Sequence, residues 1–350
     1  MSEEAPHSEN NERQKRFPYW KQQVAVGLAG TALWAGGVNE LANQISRAND
    51  PHEGPSVELV HYLNLPPGVA PTKTEMGEPE PDYMEQAKKS KFVFVIFSGT
   101  GMETSQYTGV VLNKTIEDLG GVILFCHYGS LYEKHGLAES VKEAVRKITP
   151  EGEVKTVIFL GQSFGGIAAE DVSQEPAIQE ADFMKVEKSI MVETPMDLED
   201  TTETILGIPI AWFKDMEVPD FNGLTTLANA INGQYLRGQL GMPEEWNNTF
   251  INAAKTSPEL MHSDVVRIQE GMRKVNPNVS VDYIGSSDSK NTVNHKQAYE
   301  RLKAMAGPNV TITYKGISGV DHDEIWLSTQ VDKYIPTIID STQEVIGKEQ

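Results

Sequence analysis

The sequence predicts an α/β protein with a mostly parallel central sheet flanked by helices. Three observations predict it. Runs rich in apolar and β-branched residues stand at 92–97, 121–125, 154–160 and 189–193, each short enough for a buried strand. Helical stretches separate several of these runs, and strands joined by helical crossovers lie parallel. One run leads directly into Gly161-Gln162-Ser163-Phe164-Gly165 and then into a helix start at 165–172. A chain of 350 residues is long enough for one large domain of this class plus an insertion.

Each element ends in residues that bear on chemistry. The run at 92–97 ends in Ser98-Gly99-Thr100-Gly101, and the apolar run at 121–125 ends in Cys126-His127-Tyr128-Gly129. The run at 189–193 ends in Thr194-Pro195-Met196-Asp197. Residues 279–284 alternate as a strand and close on Gly285-Ser286-Ser287-Asp288, which puts Asp288 on the loop leaving that strand. Residues 310–314 alternate well and lead through Gly316 and Gly319 to Val320-Asp321-His322-Asp323.

Gly-x-Ser-x-Gly between a strand and a helix is the sequence of a nucleophile elbow. The turn is too tight for neighbouring side chains, which the glycines at 161 and 165 satisfy. The helix that follows points its N-terminal amides and positive dipole end at the reacting atom. A serine hydroxyl is a weak nucleophile at neutral pH and needs a base. His322, after the last predicted strand, is the candidate base, and Asp288 is the candidate acid that orients it, in the chain order Ser–Asp–His. Asp197 is the second candidate for the acid.

With these pieces in place, residues 90–345 resemble the α/β-hydrolase fold family. The resemblance implies that the loop after the first strand donates an oxyanion-hole amide. Ser98-Gly99 stands where His-Gly is usual in the family, so Thr100 is the expected donor, with the Phe164 amide as the second. It also implies a helical lid at 198–278, too long for an ordinary connection, with helical pieces at 223–236, 244–255 and 257–274. Ile208, Ile210, Trp212, Phe213, Leu240, Met242 and Trp246 are its candidates for substrate contact, though each by itself reads more simply as packing. The core then comprises 91–197 and 279–345. The implied activity is hydrolysis of an ester or related acyl bond in a small-molecule substrate. Thioesterase, amidase, peptidase and acyltransferase activities share the motif, and a catalytically silent binding protein shares the fold. No cofactor is implied.

The remaining motifs point elsewhere or nowhere. Gly99-Thr100-Gly101 lacks the third glycine of a dinucleotide fingerprint, and no Walker lysine is present. No metal-ligand spacing occurs among the histidines; His127 is the one that could face the cleft, and Cys126 beside it reads as an apolar filler. Asp321 and Asp323 read as caps of a helix at 324–330. A net charge of −20 opposes association with nucleic acid or anionic membrane surfaces, and one cysteine excludes an internal disulfide.

The N-terminal part of the chain is of a different kind. Residues 1–23 form a polar tail with a basic flank of Arg13, Lys15, Arg16 and Lys21. Residues 24–38 are an uncharged run rich in Ala, Gly and Val, which fits a signal peptide or a short membrane anchor that would leave the catalytic domain outside the cytoplasm. A helix packed on the body of a cytoplasmic protein is the alternative. Residues 39–90 read as a Pro-rich spacer holding one strand at 56–63.

Overall fold

A computed structural model describes residues 54–59, 81–99, 112–128, 132–201, 204–205, 208–209, 266–286, 293–318 and 328–347. Seven strands form one sheet: β1 (Ser56–Leu59), β2 (Phe92–Phe97), β3 (Gly121–His127), β4 (Lys155–Gln162), β5 (Met184–Val192), β8 (Ser280–Ser286) and β9 (Ile312–Ile317). Between them in sequence, β6 (Thr204–Ile205) and β7 (Ile208–Pro209) pair with each other as a separate antiparallel ladder. The sheet order is β1-β3-β2-β4-β5-β8-β9, antiparallel at β1 and parallel throughout the rest.

Side-chain alternation sorts the central strands onto two cores. Val93, Val95, Phe97, Val157 and Phe159 face one core, where they meet helices α3 (Lys134–Lys147) and α4 (Phe164–Ser173). Phe92, Phe94, Ile96, Ile158 and Leu160 face the other, under helix α2 (112–118) and the C-terminal helix α8 (Ser328–Ile346). Every residue of β2, β3 and β4 is buried, which is why these strands read as continuous apolar runs. Among the described residues the other α-helices are α1 (Pro81–Lys88), α5 (Pro176–Gln179), α6 (266–270) and α7 (His295–Met305).

Several expectations are corrected. Of the strand expected at 56–63, residues 56–59 form β1 and 60–63 lie outside the described residues; β1 pairs with β3, Ser56 opposite His127 and Leu59 opposite Leu124. The segment read as a spacer therefore supplies an edge of the sheet, because the outer backbone groups of β3 need partners. The strand expected at 310–314 begins at Ile312, since the Val310 amide closes a turn onto the Gly307 carbonyl. The last helical piece of the insertion stops at 270, where Gly271 takes φ +68. The helices expected at 223–236 and 244–255, and the run at 24–38, lie outside the described residues. Among the described residues no helix is long and apolar enough to cross a membrane.

Helix α4 is buried along almost its whole length and is tied down by charge. Asp171 accepts from Arg267 of α6 through both carboxylate oxygens, at 2.6 and 2.7 Å, and from Tyr132 at 2.9 Å. This holds α6 against α4. Beside it, Glu170 is fully buried and accepts from the Asn276 amide and, at 3.1 Å, from Gln174. Burial pushes the Glu170 carboxyl up from 4.5 to about 7, against the pull of those hydrogen bonds. Between pH 4.5 and 7 the folded chain holds a proton that the unfolded chain has lost, so this group's contribution falls as pH rises through that window. Glu170→Gln is expected to remove that slope and to stabilise the protein at pH 8 by about 3 kcal/mol. Denaturant titrations of both proteins at pH 4.5 and pH 8 check it; an unchanged difference between the two pH values would contradict it.

Candidate active site

The turn from β4 into α4 is built on Ser163, with φ 49° and ψ −124°. Among the described non-glycine residues only Ser163 and Glu193 have positive φ. Such a conformation costs on the order of 1–3 kcal/mol and persists only where the surroundings enforce it. Glycines let them do so. A Cβ on Gly161 would lie 2.2 Å from the Gly165 carbonyl oxygen, and one on Gly165 would lie 2.2 Å from the Phe97 oxygen and 2.5 Å from the Ser98 oxygen. A third glycine makes room on the β5 side, where a Cβ on Gly166 would lie 2.0 Å from the Thr194 side chain, while the contacts of Gly161 and Gly165 are with backbone. Backbone thus packs on backbone where strand, helix and the β2 loop cross.

The same geometry frees the serine hydroxyl. Ser163 is the N-cap of α4, a position where serine ordinarily spends its oxygen on a helix amide, yet it makes no such bond. Its own amide is used, donating to the Val192 carbonyl of the neighbouring strand at 2.8 Å. Phe164 is the first residue of the helix, where an amide has no acceptor within the helix. The loop leaving β2 passes directly beside the serine: a Cβ on Gly99 would lie 3.3 Å from Ser163 Cβ.

A parallel sheet with one antiparallel edge strand, crossed after its central strand by a glycine-lined turn that holds a serine at positive φ, decides the architecture. The chain has the α/β-hydrolase fold. No family model matches it, and no curated relative does. Solved structures similar to it include a carboxylesterase of the thaumarchaeon Nitrososphaera gargenis (15% identity, TM-score 0.47, covering 74% of this chain and 92% of that one). An esterase from Exiguobacterium antarcticum is similar at 15% identity and TM-score 0.47, over 73% of this chain and 93% of that one. The NocB thioesterase domain, in covalent complex with a fluorophosphonate nocardicin G analog, is similar at 13% identity and TM-score 0.45, over 73% of this chain and 97% of that one.

Of the residues singled out from sequence, the structure brings Ser163, Phe164 and Gly99 together; Thr100, Asp288 and His322 lie outside the described residues. Asp197 is described, and its carboxylate is committed elsewhere. It accepts from the Glu199 amide at 2.9 Å as the cap of the turn Leu198–Asp200, and it faces Arg301 at 3.4 Å. Arg301 also pairs with Glu199 and with the buried Asp200. His127 is buried with its ring edge-on to Phe125, and Cys126 is a fully buried filler whose thiol is pushed up by burial. Among the described residues no cluster of His, Cys, Asp and Glu has the makings of a metal site.

Two features carry almost no signal in the sequence. Glu193, immediately past β5, is fully buried at φ 50°; it accepts from Tyr334 of α8 at 2.8 Å and lies 3.5 Å from Nε2 of His295 in α7. Tyr283 of β8 lies 3.3 Å from Nδ1 of the same imidazole and donates to the Thr194 carbonyl at 2.9 Å. This polar cluster locks the end of the strand beside Ser163 to helices α7 and α8. An acid between an apolar strand and a nearby proline is the only trace of it in the sequence. The second feature is Tyr128, whose hydroxyl donates to the Ser98 carbonyl at 2.6 Å.

Gly165→Ala tests the crossing. Its new methyl meets backbone on two residues, so it is expected to cost about 3 kcal/mol or more and to disorder the turn. Gly152→Ala, at φ +82 with nothing within 4 Å, is the control and should cost about 1–2 kcal/mol for the backbone alone. Denaturant unfolding of the two variants measures the difference; equal losses would contradict the packing account.

Proposed function

We propose that the protein is a serine hydrolase that cleaves an ester or related acyl bond through an acyl-enzyme. Ser163 attacks the carbonyl carbon, and His322 takes the serine proton and passes it to the leaving group. Asp288 orients the imidazole and stabilises its charged form. The amides of Phe164 and Thr100 hold the oxyanion, each such donor being worth about 3 kcal/mol. Water, activated by the same imidazole, then releases the acid and restores the serine. The observation that carries this reading is Ser163 at φ 49°, at the start of a helix, with its hydroxyl not spent on capping that helix. Backbone strain of this kind persists only where the surroundings enforce it, and it clusters at functional sites.

Two further observations support the choice of residues. Asp197 is engaged by a helical cap and by Arg301, which favours Asp288 as the proposed acid. Strands β8 and β9 are adjacent and parallel to the β4 direction, and they end at Ser286 and Ile317, shortly before Asp288 and His322 in the sequence.

Labelling with a fluorophosphonate tests the reading. The intact protein should label and Ser163→Ala should not. His322→Ala should abolish turnover of nitrophenyl esters with the fold intact. Asp288→Asn should lower kcat by about 10⁴-fold, whereas Asp197→Asn should leave it within a few-fold. Failure of the intact protein to label would favour a silent binding protein, and loss of activity in Asp197→Asn with retention in Asp288→Asn would exchange the acids. Esters, thioesters and amides of graded acyl length, compared by kcat/KM, distinguish the activities that share this machinery.

A further inference from the structure

We propose that Tyr128 is a positioning residue of the oxyanion hole, acting on both of its halves at once; the inference rests on the serine-hydrolase reading. Tyr128 follows β3, and 1% of its surface is exposed. Its hydroxyl donates to the carbonyl of Ser98, itself fully buried, at 2.6 Å. The Ser98 carbonyl and the Gly99 amide belong to one planar unit, so an anchor on the oxygen sets the orientation of the whole peptide. That peptide leaves β2 beside Ser163 and immediately precedes Thr100 in the sequence. On its other side it is pressed by the start of α4, where a Cβ on Gly165 would lie 2.5 Å from the Ser98 oxygen.

The ring of Tyr128 reaches the second half. It meets the ring of Phe164 edge-on, with centroids 5.7 Å apart, and Tyr132 closes the trio at 5.0 Å from Phe164 and 5.8 Å from Tyr128. One side chain therefore touches the β2 loop through its hydroxyl and the residue after the nucleophile through its ring. In the proposed mechanism these two segments supply the oxyanion amides. Donors in such a hole act through being oriented before the charge develops, and small misplacements are costly in rate. Without the hydroxyl, the Ser98 carbonyl would be buried without its donor, and the peptide would be free to turn.

The role predicts a loss in the chemical step and not in substrate binding. Wild type, Tyr128→Phe, and full-length proteins carrying 4-fluorophenylalanine or 4-aminophenylalanine in place of Tyr128 are compared on a nitrophenyl ester. Active sites are counted by fluorophosphonate titration. Phenylalanine and its isosteric fluoro analogue, which lack the donor, are expected to lower kcat per titrated site by about tenfold with KM within about twofold. The amino analogue, which retains an N–H donor, should recover most of the loss. Should Tyr128→Phe fail to fold, the fluoro analogue, which fills the same space, carries the comparison. A kcat per titrated site within about twofold of wild type, or a loss confined to the number of titratable sites, would overturn the proposal while leaving the hydrolase reading standing. A wild-type protein that neither labels nor turns over any ester would overturn both.

Discussion

Strand β4, the loop after β2 and the first turn of α4 approach one another at backbone distance, and the remainder of the site depends on that contact. At Gly161 and Gly165 a methyl group would stand 2.2 Å from a carbonyl oxygen, well inside van der Waals separation. Removing those side chains lets the helix begin immediately after the strand, with no intervening loop. Ser163 then has to bridge strand and helix in a single residue, which forces φ to 49°. The strain is offset by the sheet packing on either side: β4 is buried along all eight residues and α4 along nearly all ten. The hydroxyl is not spent on the helix amides that a serine at this position would otherwise cap. In the proposed mechanism the availability of the hydroxyl is thus a consequence of close packing, and a looser crossing would let the serine relax into an ordinary cap.

The flanks of the crossing are fixed by buried polar contacts. On the β2 side, the Tyr128 hydroxyl holds the Ser98 carbonyl. On the β5 side, Glu193 binds Tyr334 and faces His295, tying the strand beside the nucleophile to α8 and α7. Behind the crossing, Arg267 forks onto Asp171 and holds α6 against α4. A buried carboxylate or carbonyl left without its donor is expensive, so each of these contacts specifies one arrangement of its segment more strongly than apolar packing would.

What was legible in the sequence follows from how local each signal is. The strand–elbow–helix unit could be read because its constraints fall within a short run of consecutive residues: an apolar strand, glycines at fixed offsets and a helix start. The central strands were legible because they are buried on both faces and therefore continuously apolar. Edges were harder. Strand β1 is short and gains its place only by pairing with β3, and β9 starts late because a turn at Val310 precedes it. The contacts of Tyr128 and Glu193 were not legible at all, because their partners lie 30 and 141 positions away and no spacing rule connects them. The engagement of Asp197 by a cap and by Arg301 has no trace in the sequence, because Arg301 lies 104 positions away.

The central claim is that a strained serine at a glycine-packed crossing is a nucleophile facing preformed amides. A crystal structure of the phosphonylated protein tests it most directly. The account predicts phosphorus bonded to Ser163 Oγ, φ of that residue still near its present 49°, a phosphonyl oxygen within hydrogen-bond distance of the Phe164 amide, and the His322 imidazole on the opposite side of the adduct. A serine relaxed to negative φ, or phosphonyl oxygens facing away from the helix amide, would contradict it.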